Sequence, residues 1–178
     1  MSRLSSLAQA DLPDDYQYLL SDDAMGEINL LCVMANNPDA LQAYMRYGSA
    51  LWRDCGLNGA DVERVILAVA RELDAEYEWH QHYPIARSEG VPSGEIRALA
   101  DGTTDALSSR VDALTTYAQA VADDAVDDAV FAAAAEFLDD ATLVGVTLLA
   151  THYLATQRFI SALDVPIEES FVGWTPRT

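Results

Sequence analysis

Between Asn58 and Leu73 apolar side chains fall at Val62, Val65, Ile66, Val69 and Ala70, the three- and four-residue spacing that lines one face of an α-helix. The same spacing runs through Leu41, Tyr44, Met45, Gly48 and Trp52. No segment alternates polar and apolar strictly, as a half-buried strand would. A chain patterned in this way covers its apolar stripes by packing helix on helix. We therefore expect an all-α fold, a single-domain helical bundle, and the 178 residues suit one core.

Helix boundaries follow from capping chemistry. An N-terminal arm over 1–23 precedes a first helix expected at Ala24 to Ala35. Asn37 is placed to cap the next helix, with Pro38 at its first turn and Gly56 ending it near Asp54. The stripe from Asn58 ends near Leu73, and Asp74 is read as the cap of a helix beginning at Ala75 and ending at Gly90. Pro84 inside that helix removes a backbone donor and predicts a kink beside His80. Further helices are expected at Ser93 to Ala100, Leu107 to Ala122, Val126 to Leu138 and Ala141 to Leu163, with a turn over Asp101 to Thr104. The helical domain spans 24–165, and the 166–178 tail, with Pro166, Trp174 and Pro176, reads as irregular.

The 29 acidic residues stand against 10 basic ones, for a formal net charge of -19, and all ten basic residues are Arg. Acids scattered along the whole chain, with no clustered tail, indicate a carboxylate-coated surface whose self-repulsion concentrated salt screens. The expected setting is the cytoplasm of a halophile. With no cluster of Lys and Arg to neutralise phosphates, nucleic acid and membrane are not expected partners. The first fifteen residues are acidic and carry no long apolar run, unlike a signal peptide. The most apolar stretch, Ala141 to Ala155, falls short of the ~20 residues needed to span a bilayer. Cys32 and Cys55 form no C-x-x-C pair and are read as buried, inert small hydrophobes.

Three residues carry the candidate chemistry: Glu63, Glu78 and His82. Glu78 and His82 share a helical face at i, i+4. Glu78 also falls near a helix start, where the positive end of the dipole favours an ionised carboxylate and hence a base. His82 titrates near neutral pH, and Glu63, on the preceding helix, can orient it or exchange a proton with it. Tyr77 and Trp79 are candidate substrate-binding aromatics, with a place in the core as the alternative. His80 is expected at the surface and His152 in the core.

The segment from Glu63 to His82, continued by Pro84-Ile85-Ala86-Arg87 and Gly90, resembles the signature of the carboxymuconolactone decarboxylase and alkyl hydroperoxidase family. In the hydroperoxidase branch two cysteines stand where this chain has Ala75 and Glu78. The string Glu76-Tyr77-Glu78-Trp79 with His82 resembles a cysteine-poor branch instead. The resemblance covers roughly residues 10 to 165.

Peroxide reduction by the family's usual route requires a nucleophilic thiolate and a resolving thiol, and a carboxylate cannot replace the first. The resemblance therefore implies an acid–base enzyme of decarboxylase, lyase or isomerase type on a small carboxylate or lactone metabolite. Glu78 would be base or proton donor, His82 its proton partner and Glu63 the orienting carboxylate, with Arg64 or Arg71 as candidate partners for an anionic substrate. The alternative is a peroxidase-related antioxidant protein or a non-catalytic binding subunit. No cofactor is expected, with a divalent metal on Glu63, Glu78 and His82 as the lesser alternative. The resemblance also implies a homo-oligomer, a trimer or hexamer.

Overall fold

Helices occupy all the regular structure of the computed structural model, which describes residues 2–103 and 106–175, and no strand occurs among those residues. Thr104 of the expected turn and Pro176 of the expected tail lie outside the described residues. The helices are α1 (Asn29–Met34), α2 (Pro38–Asp54), α3 (Gly59–Glu72), α4 (Glu76–Ser88), α5 (Ser93–Asp101), α6 (Ser109–Ala122), α7 (Asp128–Ala135) and α8 (Asp140–Leu163). Two 3-10 helices, Gln9–Asp11 and Asp14–Leu20, precede them. None of the described helices is long and apolar enough to cross a membrane.

Capping explains most of the boundaries. Asn37 accepts from the Ala40 amide at 3.2 Å and Asn58 from the Asp61 amide at 2.9 Å, which satisfies donors that the first helical turn leaves over. Asp127 and Asp139 do the same for α7 and α8. Two expectations are corrected. The first helix starts at Asn29 rather than Ala24, because the chain turns at Gly26 with φ of 69°. Asp74 does not cap α4: it adopts φ of 47° and turns its carboxylate back to Arg71 at 2.5 Å, so that the residue preceding α4 is Ala75, whose side chain makes no cap. The helix continues through Pro84 to Ser88.

The chain divides into two compact units, Met1–Ser49 with Arg158–Ser170, and Ala50–Gln157 with Phe171–Thr178. In the first, Leu12, Leu19 and Leu20 of the N-terminal arm bury against Leu31, Cys32, Ala35 and Leu41. The Leu7 amide donates to the Cys32 carbonyl at 3.0 Å, the Arg3 amide to the Leu163 carbonyl at 2.8 Å, and the Tyr16 hydroxyl to Asp39.

In the second unit α3 lies between two cores. Its Val62, Val65, Ile66 and Val69 pack with Leu114 and Ala118 of α6 and with Val146 and Leu149 of α8. Its Leu67, Ala68 and Ala70 pack with Trp79 and Ala86 of α4 and with Ile96 and Leu99 of α5. A helix covered on nearly all sides must be apolar nearly all round, and any polar group on it must be paired. Asp61, fully buried, meets Arg64 at 2.9 Å, Arg110 at 2.8 Å and the Asn58 side-chain amide at 3.0 Å, while Arg64 continues to Glu95 at 2.7 Å. Gly145 of α8 lies against the Cys55 carbonyl so closely that a Cβ there would overlap it. That contact draws α8 onto the end of α2.

Candidate functional site

Glu63 is the second polar residue of α3 that the packing buries, and it is 1% exposed. Its carboxylate reaches α4, where His82 Nδ1 lies 3.0 Å from Oε2 and 3.4 Å from Oε1. On the other side of the same imidazole, Nε2 lies 3.6 Å from Oε2 of Glu78, one helical turn earlier. The structure thus brings together all three residues expected to carry the chemistry. His82 bridges the two carboxylates, one at each ring nitrogen, so the three do not converge on a single point. Among the described residues no group of three or more His, Cys, Asp and Glu is arranged to hold a metal ion.

Burial decides the protonation chemistry. Glu78 sits in the first turn of α4, where the dipole argument expects an ionised carboxylate. Instead burial, reinforced by the charge of Glu63 and opposed by that of His82, pushes its pKa up to about 7. Desolvation outweighs the helix end because the side chain is only 3% exposed and the charged form loses its water. Glu78 Oε1 is buried and has no hydrogen-bond partner among the described residues. For His82 burial is the largest single influence and pulls its pKa down, but the hydrogen bond and charge of Glu63, with the charge of Glu78, carry it above the ordinary imidazole value. The cluster therefore holds exchangeable protons near neutrality, and its titration belongs to the group rather than to one residue.

Three further residues surround His82, each distant from it in the chain. The Tyr153 ring of α8 stands edge-on to the imidazole with centroids 5.0 Å apart, and the Trp52 ring of α2 lies 5.6 Å away at 48°. Trp52 Nε1 donates to the Tyr153 hydroxyl at 2.9 Å. His152 is buried, as expected of a core histidine, with its pKa lowered to about 4 by burial and by the charge of His82. Trp52 was legible only as part of a helical stripe, and no spacing links it to Tyr153.

Trp79 is fully buried in the core beside α3, edge-on to Trp174 at 5.4 Å, with Nε1 donating to the Gly173 carbonyl at 3.2 Å. Tyr77 is buried as well. His80 is half-buried rather than exposed and accepts from the Val172 amide at 3.2 Å. Neither candidate arginine is free for an anion: Arg64 is held by Asp61 and Glu95, and Arg71 by Asp74 and the Ala100 carbonyl, with its guanidinium 4.8 Å over the Trp174 ring. Cys32 and Cys55 are buried free thiols, and burial raises the pKa of Cys32, which lowers its thiolate fraction.

Residues 38–124 match the model of the carboxymuconolactone decarboxylase family. No curated protein matches the chain significantly. Among solved structures, the chain is similar to an alkylhydroperoxidase AhpD core, an uncharacterized peroxidase-related protein from Ralstonia eutropha JMP134, at 24% identity over 99% of this chain and 98% of that one, with a TM-score of 0.82. It is also similar to the debrominase Bmp8, in a variant complexed with 2,3,4-tribromopyrrole, at 16% identity over 92% of this chain and 90% of that one, with a TM-score of 0.79. The apo form of Bmp8 aligns at 16% identity over 86% and 82%, with a TM-score of 0.73. These similarities establish the helical fold.

Proposed function

The chain belongs to the carboxymuconolactone decarboxylase family over residues 38–124, and from that premise we propose that it is an acid–base enzyme, of decarboxylase, lyase or isomerase type, acting on a small carboxylate or lactone metabolite. One observation carries this reading: a buried carboxyl, Glu78, with a pKa near 7 and one oxygen unpartnered, lies beside an imidazole held by a second buried carboxylate. A group with a pKa near the working pH is both a competent donor and a competent acceptor of protons. Glu78 delivers a proton to the electron-rich atom of the substrate, and the resulting carboxylate faces His82, which is positively charged when paired with Glu63. Glu63 fixes the ring orientation and stabilises that charge. No redox thiol stands at either position of the family's cysteine pair, which Ala75 and Glu78 occupy.

The test is turnover of a panel of small lactones and unsaturated acids by the parent, Glu78→Gln and His82→Ala. Loss of turnover in both variants, with folding retained, is expected; unchanged turnover would sink the acid–base role. A second reading, a peroxidase-related activity, draws on the description of the Ralstonia eutropha neighbour. It requires thiol-dependent peroxide turnover that disappears on replacing Cys32 or Cys55. By family resemblance the protein forms a homo-oligomer, which sizing in high salt measures.

A further inference from the structure

Trp52 is where the buried acid–base cluster reaches the surface. Trp52 as a residue is 36% exposed while His82 beside it is 7% exposed and Tyr153 6%. Its N–H is already committed to the Tyr153 hydroxyl, so the indole is fixed in orientation. A fixed, partly exposed indole offers an apolar face to a flat ligand with little further loss of side-chain freedom.

Glu78, whose Oε2 lies 3.6 Å from His82 Nε2, has its other oxygen, Oε1, buried with no partner among the described residues. A buried polar atom left unsatisfied is destabilising, and an acceptor atom of a ligand would relieve it by accepting a hydrogen bond from the protonated carboxyl. Both features border the same imidazole, Trp52 by its ring and Glu78 by its carboxyl.

The charges around the site define what it excludes. The charged groups acting on Glu78 are His82 and Glu63, and those acting on His82 are Glu63 and Glu78. Among the described residues no guanidinium is one of those groups, Arg64 and Arg71 are held elsewhere, and the chain has no lysine. The single cation of the cluster is matched by Glu63 at 3.0 Å. A ligand carboxylate would bring an unmatched negative charge into a desolvated site that already contains two acids, which is strongly unfavourable.

Resting on the acid–base reading above, we propose that the substrate is an uncharged, planar, conjugated carbonyl compound whose ring lies on the Trp52 indole and whose carbonyl oxygen meets the unpartnered carboxyl oxygen of Glu78. This selects proton-transfer chemistry on a neutral lactone, enone or amide over decarboxylation of an acid. Trp52 then sets specificity for flat ligands, and Glu78 sets the position of the oxygen.

Benzamide and benzoate test the inference directly, because they share a ring and differ in replacing a neutral amide by a charged carboxylate. Each is titrated into the full chain in mildly acidic buffer, below the Glu78 value, by saturation-transfer NMR and by the indole N–H resonance of Trp52, assigned from its loss in Trp52→Phe. Benzamide is expected to bind at least about tenfold more tightly than benzoate, the penalty of an uncompensated charge. Trp52→Ala and Glu78→Ala should each weaken benzamide by about tenfold, whereas Trp52→Phe keeps a flat ring and Glu78→Gln keeps an N–H donor, and both should retain it. Equal or preferential binding of benzoate, absence of binding by either compound, or indifference to Trp52→Ala would overturn the inference. Turnover distinguishes it from the reading it rests on: Glu78→Gln that remains fully active refutes the acid–base role even if benzamide is preferred, while an inactive Glu78→Gln with benzoate preferred refutes the substrate class alone.

Discussion

His82 is held between two carboxylates of unequal standing: Glu63 hydrogen-bonds its Nδ1 at 3.0 Å, whereas Glu78 approaches its Nε2 only to 3.6 Å. The closer carboxylate is the partner of the imidazole, and the farther one is the group to which the proposed proton transfer falls. That inequality separates the consequences of replacing each.

Glu63→Gln should remove the charge that keeps His82 protonated. The imidazole pKa, now above its ordinary value despite burial, should fall below it, because burial is left as the dominant influence. For a histidine with a raised folded value, the stabilisation is fully present below the unfolded value and is lost as pH rises through the folded one. The variant should lack this loss and be less stable in mild acid by about 1–3 kcal/mol. NMR titration of the His82 ring and urea unfolding in mild acid and at neutral pH measure the two effects, and an unchanged ring titration would contradict the pairing.

Glu78→Gln should have the opposite profile. With the folded pKa raised from 4.5 to about 7, the folded state binds a proton that the unfolded chain has released. Stability therefore falls as pH rises from 4.5 towards 7, by a total on the order of 3 kcal/mol at about 1.36 kcal/mol per unit. The glutamine variant does not ionise, so it should be more stable than the parent above pH 7 while losing turnover. Unfolding free energies across that range check the first part. In the parent, kcat/KM should decline above the Glu78 value as the proton donor is lost.

Much of this arrangement was legible residue by residue. Asn37, Pro38 and Asn58 mark helix starts because their side chains and ring geometry act locally, and the i, i+4 relation of Glu78 and His82 follows from the helical period alone. Asp74 misled, since an aspartate before a helix can equally close the helix before it by taking a left-handed conformation and pairing with Arg71. The charge state of Glu78 could not be read from its place at a helix start, because burial is set by α3 and its two cores rather than by α4. Trp52 and Tyr153 lie 101 residues apart; only the approach of α2 and α8 makes them neighbours of His82.

His152 should make the protein sensitive to acid. Its pKa is lowered to about 4, first by burial and then by the charge of His82, so the unfolded chain takes up a proton near the ordinary imidazole value that the folded state refuses until about pH 4. Stability should fall on acidification between those values by up to about 1.4 kcal/mol per pH unit. His152→Gln should flatten that limb of the stability profile. An unaltered slope would place the acid sensitivity elsewhere.

Salt should stabilise the chain. With a net charge of -19, self-repulsion disfavours the compact state, and about 1 M salt shortens the screening length to roughly 3 Å. The melting temperature should rise with sodium chloride over that range, and a fall would remove the case for a brine-adapted surface.

Gly145→Ala connects the packing to the chemistry. The added Cβ would overlap the Cys55 carbonyl, and because the obstacle is backbone, α8 and the end of α2 must separate to admit it. Overpacking of this kind costs about 1–3 kcal/mol. Tyr153 lies about two turns further along α8, and its hydrogen bond to Trp52 at 2.9 Å leaves little room for such a shift. The variant should therefore lose both stability and the fixed orientation of the indole, seen as a displaced Trp52 N–H resonance with the Glu63–His82 pair intact. If that resonance stays in place while stability falls, the Gly145 contact serves only the core, and the site on His82 is held by α3 and α4 alone.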